Sequence, residues 1–199
     1  MKKILKFSLV LAAVVLTAAQ AHAGNADFSL DLIKEEGKTV SFNLKETKKI
    51  DLSIYDTNDG LIYQEKVTSE ENISRTYDLT ALPDGIYFLK AESDLKISKY
   101  KIEVVGNKAK LSADAISEVY KPVLVNKNGM VTVNILNFEK TPVSVAIYNS
   151  EENEVYNETL TPDLYVGKTF DLTSAPSSKY TFEITYNGKT YIETVTTKY

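Results

Sequence analysis

Asp78-Leu79-Thr80-Ala81-Leu82-Pro83-Asp84-Gly85-Ile86-Tyr87 is the stretch on which the reading of this chain turns. An aspartate and a leucine close one run of alternating residues, and Pro-Asp-Gly reverses the chain. Ile86 and Tyr87 then open a second alternating run. Ninety-three positions later the arrangement returns as Asp171-Leu172, Pro176 and Tyr180. A tyrosine just past such a reversal can set its hydroxyl against backbone a few residues upstream, the corner found where β-sandwich strands change sheets. Tyr87 and Tyr180 are therefore expected to be buried rings with satisfied hydroxyls.

Working outward, the match at an offset of 93 continues without a gap from Ile50 and Val143 onward. Tyr55 falls on Tyr148, Tyr63 on Tyr156, Tyr77 on Phe170 and Pro83 on Pro176. Upstream, Val40-Ser41-Phe42-Asn43-Leu44 parallels Val131-Thr132-Val133-Asn134-Ile135 once two residues are allowed for in the following turn. Solenoid units repeat every 20 to 50 residues or so, which makes this longer period a duplicated domain.

Ile50, Leu52 and Ile54 share one face, as do Val143, Val145 and Ile147, the period-two pattern of half-buried strands. Turn signals separate such runs at Glu36-Gly37, Asn58-Asp59-Gly60, Asn128-Gly129 and Asn187-Gly188. The first copy predicts strands near 28–33, 38–44, 49–55, 61–67, 73–79, 85–92 and 97–105. The second predicts them near 121–126, 130–137, 142–149, 154–160, 166–172, 178–186 and 190–197. Seven short strands per copy give an all-β chain of two tandem immunoglobulin-like β-sandwiches, at 24–106 and 122–199. Residues 107–121 are polar and without clear alternation, so they read as a linker, with one turn of helix near 112–119 as the alternative.

Ahead of the first sandwich, Lys2 and Lys3, an apolar run from Leu9 to Ala19 and Ala21-His22-Ala23 form the three parts of a cleaved signal peptide over 1–23. The expected address is the periplasm, the cell surface or the medium. The apolar run is shorter than the roughly 20 residues of a membrane span, and the mature chain is expected to have none. The leader carries three lysines and no acid, so its removal takes the net charge from −4 to −7. An acidic chain repels phosphate backbones and anionic lipid, which argues against nucleic acid as a partner. A protein or a cell-envelope component is the expected partner class.

Cysteine is absent and the one histidine, His22, lies in the leader. A serine-histidine-aspartate relay, a cysteine-histidine pair and zinc held by nitrogen and sulfur are therefore outside this inventory, and no catalytic residue, metal or cofactor is expected. Asp56-Thr57-Asn58-Asp59-Gly60 is rich in oxygen, but its glycine and acids do not fall where a calcium loop of the EF-hand kind needs them. It reads as a hairpin connection in which Asn, Asp and Gly reach positive φ. Asp78 and Asp171 recur in both copies and are expected to accept backbone N–H bonds ahead of the proline turn. Tyr55, Tyr63, Tyr148 and Tyr156 recur as well and are expected in the core or as cross-strand partners. Tyr100, Tyr165, Tyr186 and Tyr191 have no aromatic counterpart in the other copy, so a binding surface of exposed rings is expected among these four.

Leu52-Ser53-Ile54-Tyr55-Asp56, Gly60, Tyr77-Asp78-Leu79 and Leu82-Pro83-Asp84-Gly85-Ile86-Tyr87 together resemble the C-terminal sorting domains of type IX secretion cargo from Bacteroidetes. They are also similar to small secreted β-sandwich proteins of that phylum. The resemblance covers about 55 residues of the first copy. It implies a non-catalytic sandwich, read by an outer-membrane secretion apparatus and removed in true cargo. Two departures stand beside it: the match falls in the first copy, and the glycine after Tyr55-Asp56 comes one residue late. The leading expectation is a non-catalytic binding or structural protein of the envelope, and the alternative is a secretion passenger whose sandwich is a sorting signal.

Overall fold

The computed structural model describes residues 27–45, 47–70 and 72–197. The expected signal peptide lies outside them. Every regular element among the described residues is a strand. In the first copy, β1 (Ser29–Glu36), β2 (Thr39–Lys45) and β5 (Ile73–Asp78) make one antiparallel sheet in the order β1-β2-β5. β3 (Lys49–Tyr55), β4 (Leu61–Thr68), β6 (Gly85–Glu92) and β7 (Lys96–Val105) make the facing sheet in the order β4-β3-β6-β7. The second copy repeats this division. β10 (Val123–Lys127), β11 (Met130–Leu136) and β14 (Tyr165–Asp171) form one sheet, and β12 (Val143–Tyr148), β13 (Glu154–Leu160), β15 (Lys179–Tyr186) and β16 (Lys189–Thr196) form the other.

Alternation places each core. Val40, Phe42 and Leu44 point inward from β2, and Ile50, Leu52 and Ile54 from β3, all buried in one apolar cluster bounded by Phe28 and Leu111. A second cluster gathers Val131, Val133 and Ile135 with Val143, Val145, Ile147, Phe182 and Ile184. Burying a side chain of this size is worth about 1.5–3 kcal/mol, so each cluster is the main stabilising feature of its sandwich.

The duplication extends to single bonds. Asp56 Oδ1 accepts from the Asn58 and Gly60 amides, both at 2.8 Å, and Asn149 Oδ1 accepts from Glu151 at 2.9 Å and Asn153 at 3.0 Å. Asp59 and Glu152, 93 positions apart, both take positive φ. The oxygen-rich loop is thus a bulged hairpin turn, as its residues predicted. Asp78 and Asp171 each accept from the backbone N–H two residues on, at 2.9 Å in both copies. Thr80 and Thr173 hold these carboxyls below the ordinary carboxylate value, first through the hydroxyl bond and then through the amide.

The expected linker is not a tether. Two strands lie within it: β8 (Lys108–Leu111) and β9 (Ser117–Tyr120), both paired with β7. Gly106 at φ +57° starts a two-residue turn, and Ala109 and Leu111 alternate into the first core. The Ala109 amide donates to Gly37 O and the Leu111 amide to Glu35 Oε1, both at 2.8 Å, so β8 also closes the sandwich against β1. The outer edge of β7, an unpaired row of backbone groups otherwise, is covered along both its halves. No helix occurs at 112–119.

Candidate functional site

The four unmatched tyrosines do not share one environment. Tyr165 alone is well exposed, at 60%, with its ring across Gly167 and its hydroxyl on Asn134 Oδ1. Tyr186 is buried in the second core and Tyr191 is half-buried against it, stacked on Tyr186 with ring centroids 5.6 Å apart. Burial, followed by the mutual influence of the two rings, pushes the Tyr186 hydroxyl up. Tyr100 is 97% buried, since its exposure is only 3%. A single surface of four exposed rings does not exist. The offset rule identified rings peculiar to one copy, but inward phase on β7 and β15 puts Tyr100 and Tyr186 inside.

Tyr100 does line a cleft. β7 carries Lys96, Ser98 and Tyr100 on its inward face, and β9 brings Glu118 alongside because Ser98 pairs with Glu118 in the register. Lys96 Nζ lies 2.8 Å from Glu118 Oε1, and Ser98 Oγ donates to the same oxygen at 2.9 Å. The ammonium sits 4.7 Å from the centre of the Phe28 ring and 5.8 Å from that of Tyr120. Around these groups is a cleft of ≈480 Å³, rimmed by Asp27 and Asp114. Burial opposes ionisation of Glu118, yet the bonds from Lys96 and Ser98 outweigh it and hold the carboxyl low. The Tyr100 hydroxyl is pushed up to about 12, first by burial, with Ser98 opposing and the Glu118 and Asp114 charges adding. Lys96 itself fills the aromatic cage, and its charge is spent on Glu118. The cleft has polar walls in which Lys96 and Ser98 both bond the Glu118 carboxylate.

A second charged centre joins the copies. Glu92, near the end of β6, lies 2.9 Å from Lys121 Nζ, 3.2 Å from Lys90 Nζ and 3.6 Å from Lys189 Nζ, the last on β16 of the second sandwich. Burial would raise the Glu92 carboxyl, but the Lys121 bond and charge, the Lys90 bond and the Lys189 charge hold it at about 2.

A third feature is an apolar groove of ≈340 Å³ on the open side of the first sandwich, between β4 and β5 with the turn that follows. Ile54, Ile62, Tyr63, Tyr77, Leu79 and Leu82 line it. Behind it Glu65 of β4 accepts from Arg75 Nε of β5 at 3.0 Å and from the Tyr77 hydroxyl at 2.8 Å, clasping the two sheets. Neither the Lys96 cleft nor this groove was legible as a site, because inward lysines and exposed isoleucines look ordinary in an alternating pattern. Among the described residues no group of three or more acids or histidines converges as a metal site, and no helix is long and apolar enough to cross a membrane.

Comparison with solved structures shows only distant likeness. A biofilm associated protein (its BSP domain) is 15% identical over 84% of this chain, with a TM-score of 0.28, and this chain spans 29% of its length. An Escherichia coli alpha-2-macroglobulin fragment covering domains MG0-NIE-MG1 is 10% identical over 84% of this chain and 64% of its own, at 0.27. The human OSCAR ligand-binding domain is 12% identical over 86% of this chain and 98% of its own, at 0.25. At these scores none of the three bears on function. No curated protein matches the chain. The first sandwich, over residues 36–105 and so through β2 to β7, matches the family model of the secretion system C-terminal sorting domain.

Proposed function

We propose that this chain is an exported, non-catalytic binding protein whose first sandwich is a recognition module of the sorting-domain kind, followed by a divergent copy of the same scaffold. The observation that carries this reading is the span of the family match: residues 36–105 hold the whole of β2 to β7, the turn motif at Leu82-Pro83-Asp84-Gly85 and the groove beside β4. Supporting it, three glutamates are paired within their own sandwich. Glu65 binds Arg75 and Tyr77, Glu118 binds Lys96 and Ser98, and Glu158 binds Lys168. With these charges paired inside their own sandwich, the surface and the strand edges are the parts left to bind a partner. The partner class is a protein or another envelope component, and no cofactor is called for.

A second reading is favoured by the same match: the sandwich is itself the export signal of a passenger and is cut away after use. Producing the full chain in a host with a type IX apparatus, and in one lacking it, separates the two. A binding protein gives an intact mass in the medium or envelope running from Gly24 to Tyr199. Loss of one whole repeat, about ninety residues, supports the passenger reading. A chain retained inside the cell with its leader intact overturns both.

A further inference from the structure

We propose that the outer edge of β4 and the groove behind it form a docking site for one extended strand of a partner protein, carrying alternate aliphatic side chains and a basic residue at one end. This goes beyond the export reading and stands without it.

Three observations meet here. First, β4 is the terminal strand of its sheet, paired on one side only, to β3. Its other side presents unpaired N–H and C=O groups, which an incoming strand can satisfy. The edge of β7 in the same sheet is covered by β8 and β9, whereas nothing among the described residues covers β4. Second, Leu61, Ile62 and Tyr63 at the start of β4 are 54%, 41% and 43% exposed, beside a groove floored by Ile54, Leu79 and Leu82. A strand's side chains point alternately to its two faces, so an added strand puts every second side chain toward the groove. Third, acids stand in the groove and in the turn ahead of β4. Asp78 lines the groove, and the turn bearing Asp56 and Asp59 leads directly into β4. None of the three has an ion-pair partner among the described residues. Lys38 Nζ donates to Leu82 O at 2.8 Å and pairs with none of these acids, and acids without an ion pair beside an apolar floor suit an aliphatic strand ending in lysine or arginine.

The second sandwich is the internal control. At the same offset it has Val155 for Ile62, Ser174 for Ala81 and Ala175 for Leu82, with Asn149 in place of Asp56. The scaffold is held while the apolar floor shrinks, and the turn keeps its acidity through Glu151 and Glu152. The Glu158–Lys168 pair is retained there, whereas the larger aliphatic residues are not.

The probe is a soluble peptide of about ten residues alternating isoleucine with threonine and ending in lysine, titrated into the full mature chain and followed by amide hydrogen exchange and by fluorescence of a peptide label. Binding is expected to slow exchange in residues 61–68 and to weaken about tenfold when the peptide's lysine is replaced by glutamate. Ile62→Lys is expected to abolish binding, whereas Val155→Lys, the matched change in the second sandwich, leaves it unaltered. Both sites are more than two-fifths exposed, so neither change disturbs a core. No binding, binding indifferent to Ile62→Lys, or protection appearing on another edge strand overturns the proposal. Each of those results leaves the export test untouched.

Discussion

The Tyr77 hydroxyl donates to Glu65 Oε1 at 2.8 Å, across the open side of the first sandwich. In the second copy Phe170 stands where Tyr77 does and has no hydroxyl, yet Glu158, the counterpart of Glu65, still receives a phenolic bond. It comes from Tyr156, two residues before Glu158 on the same strand, β13. The basic partner persists as well, Arg75 in one copy and Lys168 in the other. The duplicated chain has kept the clasp and moved the group that makes it. Burial and then the bond to Glu65 push the Tyr77 hydroxyl well up, so it stays a donor across the accessible pH range.

Glu65→Ala should therefore destabilise the first sandwich by about 1–3 kcal/mol, because it leaves a half-buried guanidinium and a phenol without their acceptor. Adding Arg75→Met to that background should recover part of the loss. Urea denaturation of the two single variants and the double variant measures the coupling, and additive losses would show that no clasp exists.

Tyr87 donates to Pro83 O at 2.9 Å, while the Tyr180 hydroxyl accepts from the Ser177 amide at 3.2 Å. Both rings are buried, as the turn motif predicted. Tyr87→Phe should cost about 1 kcal/mol, the net worth of a typical intramolecular hydrogen bond. Tyr180→Phe should cost at least as much, since it strands a backbone donor, and chemical denaturation of the two variants side by side checks the order.

Glu92 gives the molecule an acid-sensitive joint. Its carboxyl is depressed from the ordinary 4.5 to about 2 by Lys121, Lys90 and Lys189 acting against burial. The folded state therefore binds fewer protons than the unfolded one between those values, so this contribution is complete above about pH 4.5 and lost as pH falls toward 2. Stability measured from pH 5 to 2 should fall less steeply in Glu92→Gln than in the parent chain. Identical slopes would show that the three lysines do not hold the carboxylate.

Gly129 sits at φ +86° with an added Cβ 3.1 Å from Thr173 Cα, whereas Gly188 at φ +67° has open space around it. Gly129→Ala meets both left-handed strain and a backbone clash, and should cost more than Gly188→Ala, for which about 1–2 kcal/mol of strain is expected. Thermal melts of the two variants measure the difference.

The fourteen expected strands are all present with ends shifted by a few residues, because Val, Ile and Phe at period two leave few other ways to bury themselves. β8 and β9 are not legible in the sequence, for a physical reason. Each has four residues, and Lys108-Ala109-Lys110-Leu111 hides its alternation behind one alanine and two lysines. The site was less legible than the fold. Tyr100 stands out in the sequence for lacking a counterpart, but its place beside Lys96 and Glu118 depends on β9 folding back onto β7. Glu92 has Lys90 within its own strand, but the register that brings up Lys121 and Lys189 spans both sandwiches.

The central claim is that one duplicated pattern builds two cores, around Phe42 in the first sandwich and Phe182 in the second. Residue-resolved hydrogen exchange of Phe42→Ala tests it most directly, since losing a buried phenylalanine costs about 3–5 kcal/mol. Protection should collapse across residues 28–111 and persist across 130–195. Loss of protection in both stretches together would contradict it.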